Sequence, residues 1–274
     1  MTFRPRMMVN TTKLDLTTQL FGESLFVPIL IGPTSQQQRY HPEGELAMAR
    51  GASAAKTAMV VADRSSFPIE QIAAQAKTTL WYQIYPEADT NAMRSRVEQA
   101  IKSGCKAVCL TLGGADSPPE GADWSAIDRL RKGITVPFLL KGIMSPDEAQ
   151  TAVERGIQGI VVSNYGTHPV IDPVAAVAQP IEMLPAIADA VAGKIPILID
   201  GSFPRGSDVL KGLALGAQAI LLARPFLWSL AAYGAEGVRA VLELLQSELA
   251  RNMAECGKVN LKAIDRGLVS IRRR

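Results

Sequence analysis

The chain has 274 residues, 47% hydrophobic and 20% charged, which suits one large α/β domain with a substantial core. A formal net charge of +3 is too small to point to a nucleic-acid partner, and the basic end Arg272–Arg274 reads as a solvated terminus. The opening MTFRPRMMVNTTKLDL has no apolar core of signal-peptide length, no stretch is apolar enough to span a membrane, and Cys105, Cys109 and Cys256 form neither a disulfide framework nor a zinc motif; the expectation is a cytoplasmic protein with small-molecule partners.

The first strand candidate is VPILIG at 27–32. Pro42-Glu43-Gly44-Glu45 then opens a helix, with proline early and acids in the first turn, as the helix dipole favours. AMVVA at 58–62, LWYQIY at 80–85, KAVCLT at 106–111 and VPFLLKG at 136–142 follow as strands. Ser145 N-caps the next helix, with Glu148 placed to complete a capping box. GIVVSN at 159–164, IPILIDG at 195–201 and AILLAR at 219–224 complete the set. Gly156, Gly193 and Gly216 fall where helices should end. The last helix, about Leu227 to Cys256, is long enough to cover the outside of the domain. Near-continuous apolar runs suit strands buried on both faces of a parallel sheet. Eight βα units with no internal linker predict a single-domain (β/α)8 (TIM) barrel over residues 1–274.

Chemistry in such a barrel belongs at the C-terminal strand ends. Those ends carry Pro33-Thr34-Ser35, Gln83 and Tyr85, Thr111, Lys141, Ser163-Asn164-Tyr165-Gly166, Asp200-Gly201-Ser202, and Arg224. The loops after the last two strands, where phosphates commonly sit, supply Gly201, Gly206, Arg205 and Arg224. Glycines permit close backbone approach, and forked guanidiniums suit phosphate oxygens. A helix starting near Ser207-Asp208 would add amides to an anion site.

The segments FRPRMMVNTT, LFGESLFVPILIGPTS, HPEGELAMARGASAA, WYQIY, LLKGI, GIVVSNYG and IDGSFPRGSDVLKGLALGAQAILLARPF, in this order, resemble the FMN-dependent α-hydroxy acid oxidase and dehydrogenase family, which includes glycolate and lactate oxidases. The resemblance covers nearly the whole chain. It implies FMN as cofactor, with the Pro33-Thr34-Ser35 backbone against the isoalloxazine and Gln83 and Thr111 on its polar edge. It places Lys141 beside N1 and O2, where a fixed cation stabilises the reduced flavin. It further implies Ser163 near the ring, Asp200 on the ribityl chain, Arg224 on the phosphate and Tyr85 near the substrate, in a homo-oligomer of tetrameric type. The competing reading of Lys141 is a rim lysine paired with Asp200 or Glu148.

The departures fall on the catalytic side. Where the family has its base histidine, this chain has Tyr165, and three residues on, His168 replaces a substrate-binding arginine. An unperturbed tyrosine, with a pKa of about 10, is only about 0.1% phenolate at pH 7, so Tyr165 suits hydrogen-bond donation better than proton abstraction. His168 precedes Pro169 and is biased to extended backbone, which makes it a weak substitute base. The other histidine, His41, is expected to be structural. The lid after the fourth strand is shortened to Gly113–Ala122 and carries no arginine; the serine expected after the second strand is Ala62, followed by Asp63 and Arg64. Arg64 is a candidate for a new anion contact or a surface pair with Asp63. In the phosphate loops, Ser202 and Ala223 stand where the family has glycine, and Pro204 where it has arginine.

Three functions fit these residues: an FMN oxidoreductase with altered substrate or weak activity, a non-catalytic binder of FMN or another phosphorylated ligand, and a Schiff-base aldolase or lyase using Lys141.

Overall fold

A computed structural model describes residues 1–6, 8–113, 123–164 and 178–270. Before the first barrel strand come β1 (Thr2–Phe3) and a hairpin of β2 (Thr18–Leu20) and β3 (Glu23–Leu25). The barrel then alternates β4 (Ile29–Ile31), α1 (Gly44–Ala54), β5 (Met59–Ala62), α2 (Ile69–Gln75), β6 (Leu80–Ile84), α3 (Thr90–Lys102), β7 (Val108–Thr111) and α4 (Trp124–Arg131). It continues with β8 (Phe138–Ile143), α5 (Pro146–Glu154), β9 (Gly159–Val162), α6 (Pro180–Val191), β10 (Ile197–Ile199), α7 (Gly206–Ala214), β11 (Ala219–Leu222) and α8 (Arg224–Glu255). A last short strand, β12 (Val269–Ser270), pairs antiparallel with β1. All eight expected strands form and close, in parallel, into a barrel of order β10-β11-β4-β5-β6-β7-β8-β9.

Period-two alternation sorts each strand into two faces. Leu30, Val60, Trp81, Cys109, Leu139, Val161, Leu198 and Leu221, one per strand, fill a belt inside the barrel. Their neighbours Ile29 and Ile31, Val61, Tyr82, Val108, Leu140, Ile160, Ile199 and Ile220 pack outward against the helices. One period beyond the inner belt, towards the C-terminal mouth, stand Gly32, Ala62, Gln83, Thr111, Lys141, Ser163, Asp200 and Ala223. The alternation that buries the belt therefore gathers the polar strand ends into a single layer above it.

The opposite end is closed by the β2–β3 hairpin, which the apolar runs did not foretell. Leu20 and Leu25 join the inner cluster, and Phe21 meets Trp81 edge-on with ring centroids 5.4 Å apart. Gly159 leaves the space for Phe21: a Cβ there would lie 2.6 Å from the ring's Cζ.

Helix boundaries follow their signals. Ser145 Oγ accepts from the Glu148 amide at 3.1 Å, and Gly156, Gly193 and Gly216 adopt positive φ just past α5, α6 and α7. The expected last helix needs revision. It starts at Arg224, and Tyr233 (φ −144°) and Gly234 (φ 57°) break it into two helical pieces. A side chain at Gly234 would begin 3.0 Å from His41 Nε2, and φ 57° is a conformation that favours glycine.

Candidate cofactor and active site

Lys141 lies on β8 beside a register shift between Lys141 and Ile143. Its side chain, 6% exposed, reaches Ser163 Oγ at 2.8 Å and Asp200 Oδ2 at 2.8 Å. Three neighbouring strands, β8, β9 and β10, thus deliver one buried cation, one hydroxyl and one carboxylate to the same point. The pairing with Asp200 matches the alternative weighed for Lys141, but it is made inside the mouth and not on the rim. Asp200 Oδ1 is buried without a hydrogen-bond partner.

Gln83, fully buried, donates from Nε2 to the Ile84 carbonyl at 2.9 Å, and its Oε1 is likewise buried without a partner. Thr111 is buried beside it, its backbone paired with Lys141 across β7 and β8. An unmet buried acceptor costs about 1–3 kcal/mol. Two such acceptors in one polar layer, next to a fixed cation, are complementary to a ligand that brings its own N–H and O–H donors. Beneath the layer, burial pushes the Cys109 thiol up to about 12, so it packs as an inert small side chain.

The loop after β4 is held from below. Gln37, 1% exposed, donates to Thr34 Oγ at 2.8 Å and to the Thr34 carbonyl at 3.3 Å, steadying Pro33-Thr34-Ser35. Glu45, fully buried on α1, accepts from the amides of Gln37 and Ser66, each at 3.0 Å, and so ties the loop after β4 to the loop after β5. Neither role was read from the sequence; the available signal was the second acid of the HPEGE helix start. Across the mouth, the Arg64 guanidinium carbon sits 4.7 Å from the centroid of the Tyr85 ring. Asp63 points to the outer face instead, with Arg96 at 3.8 Å.

At the far side of the layer, Gly201 (φ 92°) and Ser202 (φ 60°) take left-handed backbone in succession. Arg224, at the start of α8, brings Nη2 to within 3.5 Å of Ser202 Oγ, and Ala223 is the residue before that helix. Arg205, expected as a phosphate donor, carries an ion pair with α8. Its guanidinium pairs with Glu248 at 2.7 Å, and the other Glu248 oxygen accepts from the Gly206 amide at 2.8 Å. Those bonds hold the Glu248 carboxyl below its ordinary range. The start of α7 is thereby capped by a residue of α8. Tyr165 and His168 lie outside the described residues, as does most of the short segment after β7. His41 accepts from the Glu43 amide at 3.2 Å and faces Gly234, a structural placement.

The sequence profile of the FMN-dependent dehydrogenase family matches residues 1–121 and 114–271. Glycolate oxidase of Spinacia oleracea is 33% identical over 313 residues, covering 98% of this chain and 84% of the relative. L-lactate oxidase of a Nostoc species is 35% identical over 312 residues, covering 96% and 84%. Both alignments are longer than this chain, so each relative carries residues that it lacks; the two profile matches meet at 114–121, where the short lid was expected. Among solved structures, mandelate oxidase with (S)-2-phenylpropionate superposes with a TM-score of 0.88 at 34% identity, covering 96% of this chain and 84% of the other. A mandelate oxidase variant with a monooxide FMN adduct gives 0.87 at 35% identity, covering 96% and 85%.

Proposed function

The chain belongs to the FMN-dependent dehydrogenase family, and from that premise we propose an FMN oxidoreductase acting on small 2-hydroxy acids or related carboxylates with altered acid–base chemistry. The observation that carries this reading is the buried Lys141–Ser163–Asp200 contact set beside the unmet acceptors Gln83 Oε1 and Asp200 Oδ1. When bound, FMN supplies the hydride acceptor.

Gln83 and Thr111 would take the polar edge of the flavin, with Lys141 beside them as the fixed cation. Pro33, Thr34 and Ser35 would line its ring, Ser163 the ring region, and Asp200 the ribityl hydroxyls. Gly201, Ser202, Ala223 and Arg224 would hold the phosphate. Tyr85 and Tyr165 would face the substrate, Tyr165 as a hydrogen-bond donor where the family has a base. His168 is the weaker candidate for proton transfer. A homotetramer, a single folding unit over 1–274 and a cytoplasmic location belong to the same proposal. No helix among the described residues is long and apolar enough to cross a membrane.

A lost general base costs about 10²–10⁴-fold in rate. Anaerobic mixing of the FMN-loaded protein with glycolate, (S)-lactate or (S)-mandelate is therefore expected to bleach the flavin slowly, and Tyr165→His to accelerate it by about 10²-fold or more. Tyr165 itself favours a second reading, a non-catalytic FMN binder. Flavin that stays oxidised with every hydroxy acid, in both the parent and Tyr165→His, would decide for that reading. The Schiff-base alternative is opposed by the commitment of the Lys141 amine to Ser163 and Asp200; borohydride with a carbonyl substrate should leave Lys141 unlabelled.

A further inference from the structure

We propose that the cleft between α2 and α3 is a second binding site, for a neutral polyhydroxylated ligand of sugar or polyol type. The cleft has a volume of about 370 Å³, within the range of small-molecule sites. It lies outside the barrel wall, where Val61 of β5 and Tyr82 of β6 pack outward. Such a site stands on the other side of the strands from the Lys141–Ser163–Asp200 set and needs no flavin.

Two buried polar atoms on its walls are unmet. The Asp63 side chain is 3% exposed; its Oδ1 has no hydrogen-bond partner, and its Oδ2 stands 3.8 Å from Arg96 Nη2. Arg96 gives Nη2 to Glu87 at 2.7 Å, while its Nε is buried without a partner. Buried polar groups are ordinarily paired, because a bare one keeps the full cost of leaving water. The neighbouring polar side chains are engaged elsewhere. Gln99 donates to Glu70, Ser65 Oγ donates to the Ala62 carbonyl at 2.6 Å, and Ser66 Oγ accepts from the Gln38 amide at 3.1 Å.

This acceptor and donor together select the chemistry of the ligand. An ammonium would satisfy Asp63 and leave the Arg96 Nε–H bare. A carboxylate or phosphate would satisfy Arg96 but stand beside the charges of Asp63 and Glu70. A hydroxyl donates and accepts at one oxygen, so it answers both atoms. Adjacent hydroxyls on a ring repeat that offer, and the ring's C–H face suits Phe67, Pro68 and Ile69 on the apolar side of the cleft. A single water would meet the pair yet cover none of that apolar side.

The test is a ligand-observed NMR titration of D-glucose onto the full-length protein, for the parent, Asp63→Asn and Asp63→Ala, with acetamide as the comparison ligand. Glucose should bind the parent saturably, with a dissociation constant of about 1–10 mM. Binding should weaken at least about tenfold in Asp63→Ala. In Asp63→Asn, which trades a charge-assisted bond for a neutral one, it should weaken about threefold. The asparagine variant keeps the side chain's shape and leaves Arg96 paired with Glu87, so it carries the test even if the alanine variant does not fold. Added FMN should leave the glucose signal unchanged. Glucose that fails to saturate, binds the parent and the folded variants equally, or is displaced by FMN would overturn the site. Acetamide bound more tightly than glucose, with the same dependence on Asp63, would overturn the polyol assignment.

Discussion

Ser202 adopts φ 60° immediately after Gly201 at φ 92°. Left-handed backbone costs a residue with a side chain about 1–2 kcal/mol relative to glycine, so a serine here carries strain that a glycine would not. Ser202→Gly should therefore stabilise the protein by about 1 kcal/mol, read as a higher denaturation midpoint. A lower midpoint would mean that the Ser202 contact to Arg224 outweighs the strain. At this scale the sequence was legible wherever function depended on strand alternation. Gln83, Thr111, Lys141, Ser163 and Asp200 were identified from their place at the ends of apolar runs, and all five stand in one layer. Arg205 was not legible in the same way, because its partner Glu248 lies 43 positions along the chain on another helix. Nothing in the local pattern discloses a long-range ion pair.

Among the elements, the β2–β3 hairpin and the outer face of β5 carry separate expectations. Phe21→Ala removes the aromatic plug beneath Trp81 and should destabilise the fold by about 3–5 kcal/mol, measured by chemical denaturation; a loss under about 1 kcal/mol would show that the plug is dispensable. Asp63 lies beside a cleft of about 370 Å³ lined also by Tyr82, Arg96 and Phe67. Burial raises its carboxyl above the ordinary 3.8, with Arg96 and Arg64 pulling the other way. A carboxyl raised in the folded state gives stability that is full below its unfolded value and lost as pH climbs through the folded one. Asp63→Asn should thus raise Tm by about 2–4 °C at pH 7 and match the parent below about pH 4, as thermal melts across that range would reveal. The eight barrel strands were legible because both of their faces are buried. The hairpin was not, since three-residue strands are too short to establish a period, and the break in α8 falls at a lone glycine, Gly234, inside an otherwise helical run.

For the whole molecule, closure of eight strands around one apolar belt leaves a single polar mouth. The family membership states which cofactor such a mouth serves, while the chain's own substitutions govern what can be done there. The lid and the segment bearing Tyr165 and His168 were legible as departures in residue type, and their arrangement lies beyond the described residues. The account stands on the claim that this mouth still holds FMN despite Ser202, Pro204 and Ala223 and with Arg205 turned to Glu248. The direct measurement is the visible absorption spectrum of the purified protein after incubation with excess FMN and exhaustive dialysis. The account predicts retained flavin bands at one FMN per chain, abolished by pairing Lys141→Met with Arg224→Ala; a protein that emerges colourless would contradict it.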